Sequence, residues 1–60
     1  SVEDRLTFYN SLNEEQKLDL GLAQYEGRAG TIKEAEVYIE ERAKKRREEK
    51  VKNRYRERGE

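Results

Sequence analysis

The sequence predicts an all-α chain: a small bundle of three helices whose third runs on as a long, basic, projecting helix. Three observations carry this expectation. The 60 residues include no Pro and are 47% charged, a composition suited to long uninterrupted helices. Residues that cap helix N-termini recur at Ser1, Asn13 and Thr31. Behind each cap, apolar residues recur at the spacing of one helical face.

Residues 2–11 read as the first helix. Ser1 supplies the cap, Asp4 sits at the reciprocal position, and Val2, Leu6 and Tyr9 share a face at i, i+4, i+7. The same stretch also has strand character, because Arg5-Leu6-Thr7-Phe8-Tyr9 alternates and is rich in β-favouring residues. The next boundary is sharper. Asn13 caps a helix over 14–26, with Glu14 and Glu15 at the positive end of its dipole and Gln16 at the capping-box position. Leu18, Leu22 and Tyr25 line one face, with Leu20 opposite, and Gly27-Arg28-Ala29-Gly30 ends the element. Thr31 with Glu34 then opens a third helix expected over 31–57, because nothing breaks it before Gly59. The predicted core gathers Leu6, Leu18, Leu22, Ile32 and Ile39.

If Arg5–Tyr9 is extended instead, the order becomes strand, helix, glycine turn, helix. On Arg5-Leu6-Thr7-Phe8-Tyr9, Leu18-Asp19-Leu20, Gly27-Arg28 and Thr31, residues 5–45 then resemble the ribbon-helix-helix repressors. The resemblance implies a dimer whose paired strands enter the DNA major groove and present Arg5, Thr7 and Tyr9.

Charge divides the chain more sharply than hydropathy does. Residues 42–58 carry ten bases against three acids, a net +7, whereas residues 1–41 carry four bases against ten acids, a net −6. The neutral total hides an acidic helical head (residues 1–43) and a basic helical extension (residues 44–60). On the helical wheel the apolar stripe Ile32, Ala35, Ile39 and Ala43 continues as Arg46, Arg47, Lys50, Arg54 and Arg58. Guanidinium and ammonium groups in such a row match phosphate oxygens and release counterions from nucleic acid. Lys45, Arg46, Arg47, Lys50, Arg54 and Arg58 are therefore the expected nucleic-acid contacts, with Tyr55 placed to stack on a base. The expected partner is RNA or DNA held through its phosphates with little sequence readout.

Other readings of the same helix are open. The pairs Glu40–Lys44, Glu41–Lys45 and Glu48–Lys52 have the spacing that stabilises a solvated charged helix. Val37, Lys44, Val51 and Tyr55 make a sparse stripe for another helix, so a homodimer or an acidic protein partner is the alternative. A helix-turn-helix docked in the usual way is disfavoured, because Glu34, Glu36, Glu40 and Glu41 crowd the start of the would-be recognition helix.

Several classes are disfavoured by composition. With no Cys and no His, disulfides are absent and a zinc site has no ordinary ligands. Catalysis is not expected, since a general base would fall to a carboxylate, Lys or Tyr, and the acids sit at helix starts or in charge pairs. No cofactor, metal or small-molecule substrate is indicated. No apolar run reaches the ~20 residues of a membrane span, and the tail lacks the apolar face of a membrane-surface helix. The expected setting is intracellular, in cytoplasm or nucleus.

Overall fold

A computed structural model describes the backbone of residues 1–58 and the side chains of residues 1–54. Among these residues the chain is three helices and no strand: α1 (Val2–Asn10), α2 (Glu14–Tyr25) and α3 (Ile32–Arg58). Each boundary lies within a residue or so of the sequence expectation, because local capping sets it. The Asp4 amide donates to Ser1 Oγ at 3.2 Å. Asn13 and Gln16 form the full reciprocal box, at 2.8 and 2.9 Å. At the third cap the Glu34 amide donates to Thr31 Oγ1 at 3.1 Å. There the Glu34 carboxylate takes the Thr31 hydroxyl (3.4 Å) rather than a backbone amide, so the predicted box is only half closed.

The end of α2 is a Schellman turn. Gly27 adopts φ +70°, and the amides of Gly27 and Arg28 donate back to the Gln24 and Ala23 carbonyls at 3.1 and 2.7 Å. This satisfies carbonyls that a helix end leaves bare.

Helical α1 removes the extended Arg5–Tyr9 segment that the ribbon-helix-helix reading requires. The Ser1 cap and the turn at Ser11, whose hydroxyl donates to the Phe8 carbonyl at 2.6 Å, close the segment as a helix at both ends.

The packing corrects the predicted core. Helix α2 lies on α3 as the principal interface, and α1 is attached more sparsely. The face of α2 turned inward is Gln16, Asp19, Leu20 and Ala23, not Leu18, Leu22 and Tyr25. Leu18 is 73% exposed, Leu22 40% and Leu6 57%. The buried apolar side chains are Ala23, Ala35, Tyr38 and Ile39, with Phe8, Leu12, Leu20, Ile32 and Ala43 half-buried around them. Two alanines at the centre let α2 and α3 approach closely, a geometry that two opposed leucine rows would hold apart. The α3 half of the expectation stands, since Ala35 and Ile39 are buried and Ile32 and Ala43 flank them.

Helix α1 and the turn after it contribute Phe8 and Leu12 to the edge of this core. Its Arg5 crosses to the α2–α3 loop and donates to the Gly30 carbonyl at 2.8 Å. A cleft of about 130 Å³ remains between these parts, lined in part by Arg5, Phe8, Leu20 and Ile32.

The shape is elongated, 52 × 20 × 15 Å, with a radius of gyration of 14.6 Å against roughly 10 Å for a compact chain of this length. Residues 47–58 of α3 account for this. They run past the start of α2, and at 1.5 Å per residue this segment is about 18 Å long.

Candidate nucleic-acid interface on the projecting helix

The base of the projecting segment is fixed by an ionic cluster that sequence patterning did not anticipate. Asp19, in the middle of α2, is 2% exposed. Arg46 Nη1 donates to its Oδ1 at 3.0 Å, and Arg46 Nη2 stands 2.8 Å from Oδ2. The second contact lies off the hydrogen-bonding direction, so it is ionic rather than a second directed bond. Arg46 Nη2 also reaches Glu15 at 3.2 Å. Arg42 Nε lies 3.6 Å from Oδ1 and has no hydrogen-bond acceptor among the described residues. The hydrogen bond to Asp19 raises the Arg46 guanidinium above its ordinary value. Lost hydration opposes this, and the Asp19 and Glu15 charges add to it.

A second polar cluster clamps the other end of α2. The Tyr38 hydroxyl donates to Glu26 at 3.0 Å. Arg28 lies over the Tyr38 ring at 5.4 Å and reaches Glu41 at 3.4 Å. Lost hydration around the phenol, then the bond to Glu26 and that carboxylate's charge, push the Tyr38 hydroxyl upward, while Arg42 and Arg28 pull it down.

These clusters divide the residues that the sequence singled out. Arg46 is half-buried and turned into the bundle, so it anchors α3 rather than lying open on the basic face. Arg47 is exposed but pairs with Glu40 at 3.5 Å along its own helix. Lys45, Lys50 and Arg54 are exposed, as are Lys44 and Lys52. None of these five makes an ion pair among the described residues. The side chains of Tyr55 and Arg58 lie outside the described residues.

At 100° per residue the five exposed bases spread widely round α3 instead of forming one stripe. Glu48 and Glu49 stand between them and lower the local potential without pairing among the described residues. Lys44 and Lys45 open onto a cleft beside Arg28, Tyr38 and Arg42, whose other walls include Glu26, Glu41 and Glu48. No described group of three or more Asp or Glu is placed to hold a metal ion. No described helix is long and apolar enough to cross a membrane.

The Asp19–Arg46 contact had a visible signal. The apolar stripe of α3 runs directly into Arg46, so a base lay on the packed face, and α2 carries one acid, Asp19, in its interior.

The fold and this surface together define a class: a small three-helix bundle that carries a projecting, solvent-exposed basic helix. No family model, curated protein or solved structure matches the chain.

Proposed function

We propose that the protein binds nucleic acid through the phosphates, using the exposed bases of the second half of α3, from Lys44 onward. The observation that carries this reading is the segregation of charge in three dimensions. Asp19 and Glu15 are turned to Arg46 at the foot of the helix. Lys44, Lys45, Lys50, Lys52 and Arg54 are left exposed along it. Bases spread around a helix suit a groove walled by phosphates on two sides, and a duplex major groove admits a single α-helix. With contacts mainly to phosphates, sequence readout is small.

The test is an anisotropy titration of labelled duplex DNA, single-stranded DNA and structured RNA, at low and at physiological salt. About four phosphate contacts give a slope of log affinity against log salt near −3.6 on duplex DNA. The variant Lys45→Ala/Lys50→Ala/Arg54→Ala removes exposed bases and leaves the Asp19 cluster intact. Salt-sensitive binding that this variant loses supports the proposal. Absence of binding at low salt overturns it and directs the search to an acidic protein partner.

A further inference from the structure

Helix α1 covers part of the core and is attached to it by little. None of its residues is buried, and Phe8 alone is half-buried. Among the described residues one hydrogen bond joins α1 to the rest of the bundle, from Arg5 Nη2 to the Gly30 carbonyl at 2.8 Å. The Lys17 ammonium over the Tyr9 ring, at 4.8 Å, adds a second polar contact. Phe8 itself is loosely packed on both flanks. On one side it lines the cleft of about 130 Å³, with Leu20, Ile32 and Ala35. On the other it borders an open groove, with Leu12, Val37 and Ile39.

The ties between α2 and α3 leave α1 out. Asn13 and Gln16 cap α2 between themselves. Arg46 holds Asp19, and Tyr38 holds Glu26. Ala23 is buried without lining either recess beside Phe8. With nine residues, α1 is shorter than the ~12–15 at which an isolated helix is even marginal in water. Off the bundle it unwinds, so undocking and unwinding are one event.

We propose that α1 is a strap, latched by Arg5, that opens as a unit about the turn at residues 11–13 while α2 and α3 stay packed. Opening joins the cleft and the groove into one apolar seat of Leu20, Ile32, Ala35 and Ile39, and closing covers that seat with Phe8. The closed state gains little over the open one. A half-covered phenyl ring and one solvent-facing hydrogen bond are set against the ordering of nine residues. Elements with few buried contacts are the ones that open first. On α3 the two recesses end at Glu40, short of the exposed bases that begin at Lys44. The strap therefore stands or falls apart from nucleic-acid binding.

Amide hydrogen exchange of the intact native chain, read residue by residue by NMR, tests this. The Leu6–Asn10 amides should share one protection factor, at least about tenfold below those of Ala23 and Ile39. That shared factor should fall with added urea, because opening exposes the seat. Gly21→Ala strengthens α2 at a position that no atom of α1 approaches within 4 Å. It should raise the protection of Ala23 and Ile39 about fivefold and leave Leu6–Asn10 unchanged, since α2 stays folded when the strap opens. Arg5→Ala should lower the α1 factor about fivefold. Four results each overturn the proposal. They are equal protection in α1 and the α2–α3 core, a fraying gradient along α1 that ignores urea, an equal rise in both sets in Gly21→Ala, or an α1 factor unchanged by Arg5→Ala.

Discussion

Arg46 holds the Asp19 carboxylate through both terminal nitrogens, at 3.0 Å to Oδ1 and 2.8 Å to Oδ2. This is the contact at which α3 leaves the bundle, because the described side chains beyond it, residues 47–54, are all exposed. One ionic pair therefore joins the packed half of α3 to the exposed half.

Removing the acid should destabilise the fold. In Asp19→Ala a charge-assisted hydrogen bond is lost and Arg46 and Arg42 are left facing each other, at a cost of about 2–3 kcal/mol. Urea unfolding followed by circular dichroism measures it. The apolar double replacement Asp19→Leu/Arg46→Met should recover much of the loss, because it removes both charges together. If Asp19→Ala unfolds at the parent's urea midpoint, the pair does not hold the bundle.

Stability and affinity should separate along α3. Arg46→Ala is expected to lower the urea midpoint, because it leaves Asp19 with only the longer Arg42 contact. Lys50→Ala and Arg54→Ala should leave the midpoint unchanged and reduce the salt slope on duplex DNA by about 1 each. Equal effects of Arg46→Ala and Lys50→Ala on the midpoint would contradict this division.

The sequence made helix boundaries and charge division legible, but not the identity of the buried face of α2. Boundaries are local: Asn13 with Gln16, and Gly27 at φ +70°, act within a few residues of themselves. The inward face depends on what α3 offers. Ala35 and Arg46 favour a partner face that is small at one end and acidic at the other, and Ala23 with Asp19 supplies both. Ranking faces by hydrophobicity alone selects Leu18, Leu22 and Tyr25, and those residues stand on the outer side. For the candidate site, Lys45, Lys50 and Arg54 were legible as exposed bases. The diversion of Arg46 was legible only in part: its place on the packed stripe could be read, but its partner Asp19 lies 27 positions away and is met only through the fold.

High pH should weaken the clamp at the far end of α2. The Tyr38 hydroxyl is raised from its ordinary value of 10.0 by lost hydration and by Glu26. The folded chain therefore keeps this proton after the unfolded phenol begins to ionise. The associated stability is complete below pH 10.0 and declines as pH rises through the higher folded value. Tyr38→Phe should be less stable at neutral pH but flatter between about pH 9 and pH 11. Urea midpoints of the two proteins across that interval make the comparison, and parallel curves would rule out the phenol as the cause.

Two glycines should respond to Ala with opposite signs. Gly21 lies inside α2, and a Cβ there meets nothing within 4 Å. Gly21→Ala therefore gains helix propensity, about 1 kcal/mol of stability. Gly27 also has open space around a built Cβ, but its φ is +70°. Any change there is backbone strain in the left-handed region, so Gly27→Ala should cost about 1 kcal/mol with no steric contribution. Unfolding midpoints of the two variants measured side by side separate backbone conformation from packing. If Gly27→Ala proved as stable as the parent, the Schellman turn would not be what ends α2.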